Sequence, residues 1–260
     1  MQRLELPGVT LCAATSVNVA ATLAAIGLST DQVVFGDVLL FTDAVGVELP
    51  QDGRVVPIPR LNSGRDYSRF LLDRLADHVE TDHCLVIQWD GFVLNADRWT
   101  NRFLECDYIG APWPQFGDGR SVGNGGFSLR SRRLLEACRT PEFVRSHPED
   151  VAIGRVNRDY LEREHGIVFA DDETAARFSL ERSLADEPTF GFHGVFNMIP
   201  LLGADCFWKL YRSLTERSTV FHDYALVMRQ LGHGRHSARR RLQLTLDLVR
   251  SWAAKRSLQA

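Results

Sequence analysis

The sequence has no apolar run long enough to span a bilayer. Its most apolar early stretch, Val17 to Leu28, is short and interrupted by Asn18. No basic stretch followed by a long apolar run opens it, so no cleaved targeting segment is expected. The five cysteines, Cys12, Cys84, Cys106, Cys138 and Cys206, are scattered, odd in number and form no CxxC pair. That argues against a disulfide framework or thiolate zinc site and for a reducing compartment. Charge of one sign is also scarce: a net charge of -3 and a pI near 6.2 argue against a nucleic-acid surface covering the whole domain. Internal repeats, low-complexity linkers, Walker loops and dinucleotide fingerprints are missing as well. The expectation is a soluble cytoplasmic protein, and 45% hydrophobic content in 260 residues suffices for a real core.

Strand-like and helix-like segments alternate over the first ninety residues. Val9 to Thr15 reads as a buried parallel strand, and Ser16 as the cap of a helix from Val17 to Ile26 stopped by Gly27. Val33 to Phe41 and Val55 to Ile58 are strand candidates, the first interrupted at Gly36-Asp37. Asp66 to His78 reads as an amphipathic helix and Cys84 to Gln88 as a buried strand. This alternation predicts a Rossmann-like α/β fold, a mixed, mostly parallel sheet flanked by helices in a single domain over residues 1–228. Ligands of such sheets lie beyond the carboxyl ends of the strands, which singles out Thr15, Ser16, Thr42, Asp43, Gln88, Trp89 and Asp90. Residues 229–260 form a basic amphipathic helix. Arg235, Arg239, Arg240, Arg241, Arg250, Lys255 and Arg256 face only Asp247, and Leu242, Leu246 and Val249 recur at helical spacing near Leu248 and Trp252. Such a helix either packs its apolar side on the domain or holds the protein on an anionic inner leaflet.

Four polar clusters carry the chemistry. Asp90, after a buried strand and before Gly91, is either a hairpin-turn residue or a carboxylate placed for Mg²⁺ or Mn²⁺. Gly123-Asn124-Gly125-Gly126 holds more glycine than one turn needs, which would let a sugar or acceptor approach the backbone. Ser146-His147-Pro148-Glu149 matches a capping box, which leaves Asp150 as a candidate general base. His193, framed by Gly191 and Gly194, is a structural imidazole or a second metal ligand. The remaining histidines His78, His83, His233 and His236 read as surface residues. Trp113, between Pro112 and Pro114, is the aromatic best placed to line a sugar cleft.

With these clusters in view, the stretch from Cys84 to Asn197 resembles a bacterial and fungal domain family described as glycosyltransferase-like, the DUF5672 type. The matching segments are Leu85 to Phe92, Asp107 to Trp113, Gly123 to Arg130, Glu149-Asp150-Val151, Arg177 to Glu181 and Phe190 to Gly194. Their order is similar to that of GT-A glycosyltransferases: an Asp-x-Asp metal turn, a glycine loop facing the acceptor, an x-Glu-Asp base motif and a late metal-binding His. The resemblance implies Asp90 and His193 as ligands of Mn²⁺ or Mg²⁺, Asp150 as base, and Trp113, Asn124, Gly125, Gly126 and Glu149 around the acceptor. It also implies a nucleotide-sugar donor, a saccharide or lipid-linked acceptor and inversion at the anomeric carbon. Gln88 stands where the metal turn has its first acid. That departure favours the alternative of a non-catalytic sugar- or nucleotide-binding module on the same fold. A sugar nucleotidyltransferase would need an N-terminal glycine-rich, basic phosphate loop, which is not there.

Overall fold

In the computed structural model of the chain, residues 3–49, 53–182, 187–232, 234 and 236–257 are described. They fall into two compact units, Met1–His193 and Gly194–Ala260. In the first unit, the early apolar run forms β1 (Leu4–Ala14), in which every residue from Val9 onward is buried, as in a strand covered on both faces. β1 pairs in parallel with β2 (Val33–Thr42) and with β4 (His83–Ile87), and β2 in parallel with β3 (Arg54–Pro57). β6 (Phe127–Ser131) runs antiparallel to β4, and β5 (Tyr108–Ile109) antiparallel to β6. Among the described residues this gives a six-stranded sheet of order β3-β2-β1-β4-β6-β5, the mixed, mostly parallel α/β architecture that the alternation predicts. Helices α1 (Val19–Thr30), α2 (Gly64–Asp73) and α3 (Arg132–Ala137) flank it. On one face Cys12, Leu39, Phe41 and Val86 of the sheet meet Phe70 and Leu71 of α2 and Leu135 of α3.

Several local expectations fail for identifiable reasons. Ser16 does not cap α1, because its hydroxyl accepts from the Leu61 backbone N–H at 2.8 Å; the helix starts at Val19 after Asn18 in the left-handed region. Gly27 does not stop it either, since α1 runs on to Thr30 with the Ser29 hydroxyl donating to the Ala25 carbonyl at 3.0 Å. β2 is continuous through Gly36, where the lack of a side chain admits the Pro7 carbonyl and the β1–β2 register shifts. From Glu149 the chain forms α4 (Glu149–Val151), a π-helical turn over Ala152–Val156 and α5 (Arg158–His165), which Gly166 ends at φ 61°. The π-helical turn is held by Asn157, whose amide donates to the carbonyls of Val144 and Ala152, both at 2.9 Å. α6 (Asp172–Phe178) follows.

The second unit contains α7 (Val195–Leu202), α8 (Ala204–Ser213), α9 (Ser218–His222), α10 (Tyr224–Gln230) and α11 (Ser237–Ser257). α11 is the basic helix, but its rotation corrects the expected packing. Leu244 and Arg240 are buried, while Leu242, Leu246, Val249 and Trp252 face solvent. Polar anchors account for this: Tyr211 donates to Asp247 at 2.7 Å, and the Tyr224 hydroxyl meets that of Thr245 at 2.7 Å. His233 and Arg235 lie outside the described residues, as do the side chains of Lys255 and Arg256. Among the described residues no helix is long and apolar enough to cross a membrane.

Asp107 ties β5 to its surroundings: it accepts from Ser131 at 2.6 Å, from the Val168 N–H at 2.8 Å and from Arg133. Burial alone would raise its pKa, but Arg133 and Ser131 hold it below 3.8. A depressed carboxyl stabilises above its unfolded value, and that stability disappears as pH falls through the folded one. Asp107→Ala should therefore cost about 1–3 kcal/mol near neutrality. In urea unfolding across a pH series, the variant should also lose part of the wild-type destabilisation below pH 3.8.

Candidate active site

The parallel register brings three strand ends into one row. Ala14 lies beside Phe41 and Ala13 beside Ile87, so Thr15-Ser16, Thr42-Asp43 and Gln88-Trp89-Asp90 leave the sheet at the same edge. Thr15 and Thr42 close local turns, accepting from the N–H groups of Val17 and Ala44, each at 3.2 Å. Asp43 is held below the usual carboxylate range, first by the Ser16 hydroxyl and then by Arg60, whose guanidinium lies 3.1 Å away.

At the end of β4 the chain turns sharply: the Gly91 N–H donates to the Gln88 carbonyl at 3.1 Å, leaving Trp89 and Asp90 at the apex and both side chains buried. The segment carrying His193 is strapped onto this turn. Leu94 and Asn95 both donate backbone N–H bonds to the Phe190 carbonyl, at 2.8 and 3.1 Å, and Val93 bridges Gly191. β7 (Ser179–Leu180) pairs in parallel with β8 (Gly191–Phe192), so the next residues in register are Glu181 and His193. The imidazole thus lies among three polar groups. Nε2 is 3.4 Å from Gln88 Oε1 and 3.7 Å from Asp90 Oδ1, and Nδ1 is 3.4 Å from Glu181 Oε1. Gln88 Nε2 donates to the Tyr67 hydroxyl at 3.1 Å, which turns the amide oxygen toward His193. Burial would lower the His193 pKa, but Asp90 and then Glu181 outweigh it and raise it to about 9.

The glycine loop packs against this imidazole. A Cβ at Gly126 would occupy the space of the His193 ring, and one at Gly123 that of the Trp113 indole. A Cβ at Gly125 would collide with Glu149 and crowd Asp150. The missing side chains, expected to admit a sugar, make room at these positions for the protein's own side chains. Only Asn124 takes the left-handed conformation, at φ 51°, and its Oδ1 accepts from the Gly126 N–H at 3.1 Å. Trp113 is also corrected: the ring is only 7% exposed, packed on Gly123 and near Gly154 of the π-helical turn.

Glu149 and Asp150 separate cleanly. The expected capping box does not form, since Pro148 occupies the cap position and Ser146 makes no cap bond. Glu149 is turned inward and buried. It lies 3.2 Å from Nη2 of the fully buried Arg130, and Ser68 donates to its other oxygen at 2.9 Å. Asp150 is half-buried on the loop side, where Oδ2 accepts from the Gly125 N–H at 3.0 Å and Oδ1 from the Val151 N–H at 2.8 Å. Burial and then the neighbouring Glu149 raise its pKa above 3.8, against the pull of those two N–H groups. A carboxyl raised in this way is a better proton acceptor.

Among the described residues, no group of three or more His, Cys, Asp and Glu is arranged to hold a metal unaided. Asp90 and His193, with the neutral oxygen of Gln88, instead suit an open site in which a divalent cation shares its coordination with phosphate oxygens. Glu181, Tyr67 and Arg130 join this cluster without any local signal in the sequence. The first is set by a two-residue ladder, the second by α2 crossing the strand end, and the third by a buried charge with no local signature.

The family described as Protein of unknown function (DUF5672) matches residues 53–193. No curated protein matches the chain. Among solved structures, the glycosyltransferase GlyE of Streptococcus pneumoniae TIGR4 is 13% identical at a TM-score of 0.41, covering 86% of this chain; this chain spans 64% of that one. A glycosyltransferase involved in glycosylating the major capsid of PBCV-1 is 12% identical at 0.45, covering 78% and 98% of the two chains. Glucosyl-3-phosphoglycerate synthase of Mycobacterium tuberculosis, in complex with Mn²⁺, UDP and phosphoglyceric acid, is 13% identical at 0.40, covering 62% and 66%. These likenesses are loose and assign no residue a role.

Two substitutions test the packing beneath the site. Arg130→Met strands the Glu149 carboxylate in the interior and should cost about 3–5 kcal/mol in urea unfolding, whereas Arg130→Met combined with Glu149→Leu should recover much of that loss. Gly126→Ala should displace the imidazole at about 1–3 kcal/mol of overpacking. A melting temperature equal to the wild type would mean the loop yields and the interlock is weak.

Proposed function

The chain belongs to the DUF5672 family, and from the geometry of its site we propose that it is a metal-dependent glycosyltransferase moving a sugar from a nucleotide-sugar donor to an acceptor hydroxyl. The observation that carries this reading is the meeting of Asp90 and His193 at 3.7 Å, from strand ends about a hundred residues apart, with Asp150 against the same glycine loop. Thr15, Ser16, Thr42 and Asp43 lie along that sheet edge, where the donor nucleotide binds in this reading.

In the transfer, the acceptor oxygen forms its bond to the anomeric carbon as the bond from that carbon to the diphosphate oxygen breaks. Asp150 takes the hydroxyl proton, and its raised pKa matches that task. A divalent cation, when bound, neutralises charge on the departing diphosphate. Asp90 and His193, the imidazole giving up its proton on binding, would hold that cation, with Glu181 orienting the imidazole through Nδ1 and Tyr67 fixing the Gln88 amide. A base opposite the leaving group implies inversion. The acceptor is a saccharide or a lipid-linked saccharide, and the setting is cytoplasmic with peripheral contact to the inner leaflet. The neutral Gln88 favours a second reading, a binding module on the same scaffold that releases no nucleoside diphosphate.

Screening nucleotide sugars with Mn²⁺ for nucleoside diphosphate release separates the two readings. Asp150→Asn should lower turnover by about 10²–10⁴-fold while the donor-induced rise in melting temperature persists. Equal loss of both would remove Asp150 from the base role. Asp90→Asn and His193→Ala should each raise the Mn²⁺ concentration needed for half-maximal rate, and an unchanged titration would contradict their assignment.

A further inference from the structure

We infer that the second unit carries a binding site for a phosphate group, in a cavity between α8 and α11. The cavity has a volume of about 530 Å³ and is walled by Trp208 and Tyr211, with Arg212, Arg217, Arg239 and Arg240 around it. The aromatic wall is ordered: the rings of Trp208 and Tyr211 stack at 4.8 Å between centroids.

One carboxylate, Asp247, lines the cavity against four guanidinium groups, and it is already occupied. It accepts from Tyr211 at 2.7 Å and from Gln243 at 2.9 Å, and it lies 3.7 Å from Arg217. Arg240 is buried and pairs with Asp205. Arg212 and Arg239 form no ion pair with any described residue. Guanidinium groups cannot relieve mutual repulsion by losing a proton, so a cavity lined this way attracts an anion. Their planar forks match phosphate oxygens, and the stacked rings offer a flat apolar wall to whatever the phosphate is esterified to.

The larger cavity of the first unit, about 910 Å³ beside α2, is a useful contrast. Its arginines are neutralised in place: Arg60 by Asp43, Arg69 and Arg145 by Asp73, and Arg74 and Arg139 by Asp77. The charge of the second unit points the same way. Residues 194–260 carry 11 Lys and Arg against 4 Asp and Glu, while residues 1–193 carry 19 against 29, from chain totals of 30 and 33. The phosphate can come from a lipid headgroup or from a soluble ester. The outward Leu242, Leu246, Val249 and Trp252 of α11 favour the headgroup. The site stands independently of the glycosyl-transfer reading, since none of its residues belongs to that machinery.

The test uses the full chain with EDTA present, so that no cation-dependent diphosphate site contributes. Inorganic phosphate is titrated against chloride at matched ionic strength while the melting temperature is followed. In parallel, flotation is measured with phosphatidylcholine vesicles with and without phosphatidic acid. The wild type should be stabilised by phosphate. Arg212→Gln/Arg239→Gln should keep the phosphate-free melting temperature and lose phosphate affinity about tenfold or more. Arg212→Lys/Arg239→Lys keeps charge but loses the fork, so it should fall between them, and it serves as the readout if the glutamine variant does not fold. Flotation dependent on phosphatidic acid and on these arginines assigns a lipid headgroup; stabilisation by phosphate without flotation assigns a soluble ester. Absence of both effects in the wild type, or wild-type responses in the variants, overturns the site.

Discussion

The candidate site depends on a steric interlock between Gly126 and His193. The imidazole lies where a side chain on residue 126 would otherwise be, and the backbone strap from Val93 to Asn95 holds residues 190–191 against the strand end that carries Asp90. The aromatic residues next to the two interlocked positions reinforce it. Phe127 packs 5.9 Å from Phe190 between centroids, and Phe192 packs edge-on against Phe92 at 4.8 Å. Fixing His193 this way fixes its distance to Asp90. It also leaves Gly125, next along the loop, to set Asp150 through a backbone N–H. Two side chains from distant parts of the chain are thus referred to two adjacent residues.

Electrostatics sorts the acids around that interlock. Asp90, Glu149, Asp150 and Glu181 lie close together, and mutual repulsion must be answered locally. Glu149 is answered by the buried Arg130, and Glu181 faces one nitrogen of His193 while Asp90 faces the other. Asp150 receives the N–H groups of Gly125 and Val151, and burial with the neighbouring Glu149 still holds its pKa above the usual carboxylate value. Consecutive positions thus hold one acid paired with a buried arginine and one turned to the glycine loop.

The sheet was legible because strand burial is written locally. Val9 to Thr15 and Cys84 to Gln88 are dense apolar runs, and the carboxyl-end rule follows from their parallel order rather than from any single residue. The meeting of Asp90 and His193 was reachable through spacing and family resemblance. The ends of α1 were not legible, because Ser16 spends its hydroxyl on a segment forty-five residues away, a choice no local propensity encodes. Glu149 read as a cap for the same reason: Ser68 and Arg130, both remote in sequence, outbid Ser146. The glycine loop was read as ligand space because the absence of a side chain says only that something approaches, and the occupant is decided by tertiary packing. In α11 the leucine spacing was correct, but the buried face is set by Asp247 and Thr245, whose polar partners turn Leu244 inward and the longer stripe outward.

The charge of the chain is divided as sharply as its chemistry. The near-neutral total of -3 conceals an acidic first unit and a basic second one, so whole-chain charge was a poor guide to partners. An acidic site attracts cations and repels a bare diphosphate, which makes a shared cation the natural intermediary for a phosphate-bearing donor. The arginine-lined cavity needs no such intermediary, because guanidinium forks bind phosphate directly. In these two proposals the units would answer the same ligand chemistry with opposite means. In the two proposals they differ in one variable, the divalent cation, which would serve the first and not the second.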